Sequence, residues 1–225
     1  MKKFLLTWIL SPGIAKLFVK LLSAIKPSGS QPPRKKEKTF DLSLDVVLTD
    51  GWLDFRNLVS ESTCYAEYGS GESTLYVSEA STSPIRSIET DPKWVDLVRG
   101  KLPRRGEIVR VDLGPTGRWG RPDTFDQADQ FMTYISAPFA GGYSPDLVLI
   151  DGRFRVACFL YSVLHSAPGT KIVFDDYVTR PFYHIAETVV PADKIGPRQA
   201  IFTRPEKIDD SRVRFLLDKF EYVMD

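Results

Sequence analysis

Cysteine and histidine are scarce in this chain, with two of each among 225 residues. No second cysteine or histidine stands at ligand spacing from Cys64 or Cys158, so a Cys/His metal centre and a disulfide framework are both excluded. The two cysteines sit in apolar surroundings and read as buried thiols in a reducing, cytoplasmic setting. Charge of one sign is lacking as well. Thirty Lys and Arg against 29 Asp and Glu leave a net +1, so the chain has no overall footprint for nucleic acid. Also missing is an apolar run of roughly 18 residues, so no segment reads as membrane-spanning. What remains is an ordinary globular composition, long enough for one α/β domain and a small appendage.

Residues 1–39 differ from the rest. "MKKFLLTWIL" begins basic and turns apolar, and "SPG" interrupts it. "IAKLFVKLLSAI" then places Ile14, Leu17, Phe18, Leu21, Leu22 and Ile25 on one helical face. Pro12 and Gly13 break the apolar core that a signal peptide needs, and no small-x-small cleavage site follows. Two readings stay open. With the basic "RKKEK" at 34–38, the segment suits peripheral contact with a membrane at its cytoplasmic face. Alternatively it packs over the site as a lid, or forms a homodimer contact. "KPSGSQPP" is a linker by composition, so residues 40–225 are expected to form the functional domain.

In that domain strand-like and helix-like segments alternate. "TCYAE" (63–67), "IRSIE" (85–89), "EIVRVDL" (107–113), "DLVLID" (146–151) and "KIVFDD" (171–176) read as strands, and "RQAIFTR" (198–204) as an edge strand. Helical spacing marks 52–59, 72–80, 92–102, 123–135, 155–167, 182–190 and 207–220. The alternation predicts an α/β fold, a Rossmann-like doubly wound, mostly parallel sheet with helices on both faces. Ligands in such sheets bind at the carboxyl ends of the strands. That is where Glu67, Glu89, Asp112, Asp151, Asp175 and Asp176 fall.

The glycine turn in "EYGSGES" lets backbone approach a ligand closely. Thr74 stands where a dinucleotide fingerprint needs Gly or Ala, and Glu67 suits a cationic ligand better than a pyrophosphate. Glu89 is placed to accept hydrogen bonds from ribose hydroxyls, while Asp91 can share that role or cap the helix opening at Pro92.

The ordered set "EYGSGES", "SIETDP", "VDLG" and "DLVLIDG" resembles the successive motifs of the class I S-adenosylmethionine-dependent methyltransferases, over residues 62 to about 204. The resemblance implies a seven-stranded sheet with an antiparallel last strand, and S-adenosylmethionine as cofactor. It implies cofactor contacts from Glu67, Gly69, Ser70, Gly71, Ser73, Thr74 and Asp151, with Glu89 on the ribose and Asp112 near the adenine. Two short final strands are expected between Pro191 and Arg204, of which only one shows clearly.

Three carboxylates at neighbouring strand ends repel unless something positive lies between them. Asp151, Asp175 and Asp176 therefore suit a hard cation such as Mg²⁺, which would hold acceptor oxygens. This resembles the cation-dependent O-methyltransferases, which place an Asp after the fourth strand and an Asp-Asn pair after the fifth. In the metal-free reading Asp151 or Asp175 is a general base, its neighbour satisfied by Arg153 or Arg155. His184 is a further candidate base. Arg153, Arg155, Tyr177 and Arg180 are candidates to hold an acidic acceptor, and Trp119, in "GPTGRWGRP", to stack on a ring.

The leading expectation is O-methylation of a hydroxylated small molecule or a glycan. The alternatives are an NAD(P)-dependent oxidoreductase and a non-catalytic cofactor-binding protein tethered at a membrane.

Overall fold

The computed structural model describes residues 44–225, which fall within one compact unit, Asp41–Asp225. The expectations for residues 1–39 lie outside the described residues. Among the described residues no helix is long and apolar enough to cross a membrane.

The strands are β1 (Tyr65–Tyr68), β2 (Ile85–Glu89), β3 (Gly106–Arg110), β4 (Leu147–Ile150), β5 (Lys171–Phe174), β6 (Lys194–Ile195) and β7 (Ala200–Thr203). They form one seven-stranded sheet in the order β3-β2-β1-β4-β5-β7-β6. Every pairing from β3 to β5 is parallel, and β7 runs antiparallel to both β5 and β6. The helices are α1 (Leu53–Glu61), α2 (Glu72–Ala80), α3 (Pro92–Arg99), α4 (Phe131–Ser136), α5 (Arg155–His165) and α6 (Asp210–Phe220). All residues of β1 and β4 are buried, as expected of central strands covered on both faces. On one face Phe159, Phe174 and Phe202 interlock, with ring centroids 4.7 Å apart between Phe159 and Phe202. On the other, Trp52 and Phe55 pack on Tyr65 and Leu149. Each such fully buried side chain contributes about 2 kcal/mol.

Local chemistry sets the boundaries. Asp91 caps α3 by accepting from the Lys93 N–H at 2.9 Å, and Pro92 fills the first helical position. Two expected helices are shorter or tighter than their spacing suggested. Over 123–135, regular helix begins only at Phe131. Before it, side chains such as Thr124 and Asp126 bond to each other rather than release the backbone to a helix. Pro181–Thr188 is a 3-10 helix whose buried residues, Tyr183 and Ala186, follow that three-residue period. The last two strands are both present, but β6 has only two residues, too short to leave an alternating pattern.

Candidate active site

The parallel register sets Tyr68 level with Ile150, so the ends of β1 and β4 meet. Gly69 follows with φ +89°, and a Cβ there would lie 2.9 Å from the Asp151 carbonyl oxygen; only glycine fits both demands. Beneath the turn, Glu67 is fully buried and accepts from Tyr65 Oη at 2.8 Å, Ser73 Oγ at 2.7 Å and the Thr74 hydroxyl. The Thr74 hydroxyl in turn accepts from the Gly71 N–H at 2.8 Å. Burial raises the Glu67 pKa, against the pull of these donors. Glu67 and Thr74 thus brace the turn from below and do not line the cavity above it, whereas Gly69, Ser70, Gly71 and Ser73 do.

That cavity, about 470 Å³, lies over the strand ends. Glu89 reaches it from the end of β2 and accepts three backbone N–H groups, from Ser70 at 3.0 Å, Thr90 at 2.7 Å and Asp91 at 2.9 Å. Burial nevertheless holds its pKa above the usual carboxylate value. Among the described residues beyond its chain neighbours, a Cβ on Gly71 would meet no atom within 4 Å, so the turn faces open space there. Three lining residues carry buried polar atoms without a partner among the described residues: Trp52 Nε1, Glu72 Oε2 and Arg153 Nε. Trp119 stands at the mouth, 60% exposed with φ +61°, and Arg118 lies 5.1 Å over its ring. Its loop is fastened to the end of β2 by Thr90 Oγ1 donating to the Gly120 carbonyl at 3.0 Å.

Oxygens of Asp151, Asp175 and Asp176 lie within 4.8 Å of one another, the spacing expected of a cation site. Guanidinium groups already occupy them. Arg155 pairs with Asp151 at 2.9 Å and Asp176 at 3.3 Å, and Arg180 with Asp176 at 3.0 Å. Arg198 donates to Asp175 through Nε at 2.7 Å and Nη2 at 2.5 Å, and the same Nη2 lies 3.0 Å from Asp176. Gln199 Nε2 donates to Asp175 at 2.9 Å. For the Mg²⁺ expected on these three aspartates, the arginines are competitors already in place. A cation would have to displace guanidinium, and the donor set as placed does not fit one. Asp175 is also fully buried and anchors Arg198 rather than facing an acceptor. Burial alone would raise its pKa, but the hydrogen bond and charge of Arg198 outweigh that and lower it. Asp151 keeps 30% of its side chain exposed. Burial, then the charge of Asp175, raise its pKa well above the usual value, with Arg155 opposing.

Arg153, Arg155, Arg180 and Trp119 line the cavity as expected, and Asp151 and Asp176 with them. Besides Glu67, Thr74 and the buried Asp175, three further candidates are not brought there. Asp112 pairs with Arg110 at 3.2 Å, accepts from the Gly114 N–H at 3.0 Å and borders a separate hollow. Just beyond the end of β3, its neighbours Val111 and Leu113 are buried in the core and Asp112 between them is left facing outward. Tyr177 is buried in the core and donates to Glu187 at 2.8 Å. His184 is exposed beside the Tyr177 ring, at 4.8 Å. Sequence reasoning missed Trp52, Glu72 and Arg198. Glu72 stood within the quoted glycine motif, but "GPRQA" gave no sign of Arg198, which only the β5–β7 pairing brings to Asp175.

No protein-family model matches the sequence, and no curated protein does either. Among solved structures, a methyltransferase-like protein from Silicibacter pomeroyi DSS-3 is 29% identical with TM-score 0.69, over 76% of this chain and 93% of that one. An O-methyltransferase family protein from Burkholderia thailandensis is 14% identical with TM-score 0.44, over 73% of this chain and 58% of that one. An RNA methyltransferase from Salinibacter ruber, in complex with S-adenosylhomocysteine, is 15% identical with TM-score 0.42, over 74% and 93%. The strand order and the Silicibacter structure place this chain in the class I S-adenosylmethionine-dependent methyltransferase fold.

Proposed function

We propose that the chain is an S-adenosylmethionine-dependent methyltransferase that methylates a hydroxyl of a small molecule or glycan carrying an anionic group. One observation carries this reading. A single cavity is lined both by the Gly69–Gly71 turn with Glu89 and by Asp151 with its arginines. Cofactor groups and acceptor groups therefore share one space.

The lining fits the cofactor. Glu72 and Glu89 offer carboxylates to a ligand with two cationic centres, and the free Oε2 of Glu72 suits its ammonium. Glu89, fixed by three backbone donors, presents its remaining lone pairs to the ribose hydroxyls. A pyrophosphate would face the same two carboxylates, which argues against a nicotinamide dinucleotide. When bound, the cofactor supplies an electrophilic methyl group whose leaving thioether needs no proton from the protein.

The chain's own residues then have two tasks, orientation and deprotonation. Asp151 is the base, accepting the acceptor's hydroxyl proton on a carboxylate oxygen. Its raised pKa brings its basicity closer to neutral pH, where a general base works best. Arg153, with an unpartnered Nε, and Arg180 donate to the anionic group, and Trp119 covers a ring at the mouth.

The test is methyl transfer from labelled S-adenosylmethionine to matched hydroxylated acceptors with and without a carboxylate, such as pyranosides and uronic acids. Label is expected on the acidic members and is lost in Arg153→Ala. Binding of S-adenosylhomocysteine without transfer to any hydroxyl would overturn the reading.

A further inference from the structure

We infer that the Arg198 guanidinium fills the place of a divalent cation in the aspartate cluster, so that the wild-type chain takes no ion there and a latent cation site opens when Arg198 is removed. The inference does not use the methyl-transfer reading.

The geometry points to Arg198 rather than its neighbours. Its Nη2 lies 2.5 Å from an oxygen of Asp175 and 3.0 Å from one of Asp176, bridging two of three carboxylates whose oxygens sit within 4.8 Å of one another. That is what a shared ion would do. The antiparallel register pairs Phe174 with Ala200 and so carries Arg198 and Gln199 to the level of Asp175 and Asp176. The Trp52 ring supports the guanidinium from another side, 5.6 Å from Cζ.

Charge and access to the carboxylate oxygens decide the outcome together. Asp151, Asp175 and Asp176 face Arg155, Arg180 and Arg198, so the cluster is neutral as built. A dication added to it would meet three fixed positive groups and find its oxygen ligands engaged. Without Arg198 the balance becomes negative. Asp175 then loses its bidentate partner, and an oxygen-only set suited to a hard cation remains. Unlike an ion, a guanidinium neither exchanges with solvent nor titrates in the physiological range. The positive charge beside Asp151 is thus a permanent part of the chain.

Electron paramagnetic resonance of Mn²⁺ titrated into the full chain tests this. Wild type should bind no more tightly than about 1 mM, and Arg198→Ala at least about tenfold more tightly. Adding Asp151→Asn to Arg198→Ala should abolish the gain, which places the ion. Arg180→Ala should behave as wild type, because Arg198 still bridges Asp175 and Asp176. Should Arg198→Ala not fold alone, refolding in Mn²⁺ becomes the readout, and recovery of native circular dichroism supports the inference. Wild-type binding as tight as that of Arg198→Ala would overturn it. So would an Arg198→Ala chain that ignores Mn²⁺, whether folded or in refolding.

Discussion

One strand carries an aspartate just beyond each end, and the two live differently. Before β4, Asp146 accepts from Ser62 Oγ at 2.6 Å, the Thr63 N–H at 2.8 Å, Thr63 Oγ1 at 2.5 Å and the Cys64 N–H at 3.1 Å. All four donors are neutral, and none brings a competing negative charge. Burial would raise its pKa, but these donors together lower it. After β4, Asp151 meets one arginine and two other carboxylates, and its pKa is raised. The lower carboxylate is content as an anion and ties β4 to the segment before β1. The upper one is held uneasily as an anion, the condition that suits proton transfer. In this sheet the amino end of β4 is built for holding, and on the proposed reading the carboxyl end is the one for chemistry.

The largest expected effect comes from breaking the upper network. Arg198→Ala strands the buried Asp175 carboxylate and should cost about 3 kcal/mol in urea unfolding, the lower part of the range for buried pairs. The discount follows from Arg198 being 39% exposed. A loss below about 1 kcal/mol would mean that Asp175 is satisfied without it. Next is Asp151→Asn, expected to lower methyl transfer about 100-fold while S-adenosylhomocysteine still binds. Stability moves the other way. The native state binds the Asp151 proton more tightly than the unfolded state, so the stability this group contributes is present at acid pH. It is lost as pH rises from the ordinary carboxylate value through the raised one. Asp151→Asn should therefore leave stability at neutral pH unchanged or increased, and a clear loss there would break the contrast between the two ends.

Asp146→Ala comes third. It leaves the Ser62, Thr63 and Cys64 donors unanswered and should cost about 2 kcal/mol, with cofactor affinity intact. The smallest effect is on acid stability. Because the folded pKa of Asp146 is lowered, its stabilisation is present above the ordinary carboxylate value and lost as pH falls through the folded one. Asp146→Asn should flatten that part of the stability curve, and an unchanged slope would show that other carboxylates set it.

Much of this was legible in the sequence because it depends on local pattern. The apolar runs of β4 and β5, the glycine turn and the cap at Asp91 need only neighbouring residues. The doubly wound sheet follows from their alternation. What the sequence concealed depends on pairing across the fold. Glu67 looked like a ligand group because it precedes the turn, yet Tyr65, Ser73 and Thr74 hold it beneath. Asp112 looked like a strand-end group, yet Val111 and Leu113 claim the core and turn it outward. The proximity of Asp151, Asp175 and Asp176 is legible from the neighbouring strand ends. The expectation of a cation there did not foresee the charge of Arg198, which arrives across an antiparallel register that short β6 and β7 do not announce.

The most direct measurement is calorimetric titration of S-adenosylhomocysteine into wild type, Glu89→Ala and Asp146→Ala. The account predicts one equivalent bound by wild type, affinity unchanged in the less stable Asp146→Ala, and a loss of at least about tenfold in Glu89→Ala. No binding by wild type, or equal binding by Glu89→Ala, would contradict the claim that the carboxyl ends of the strands hold this ligand.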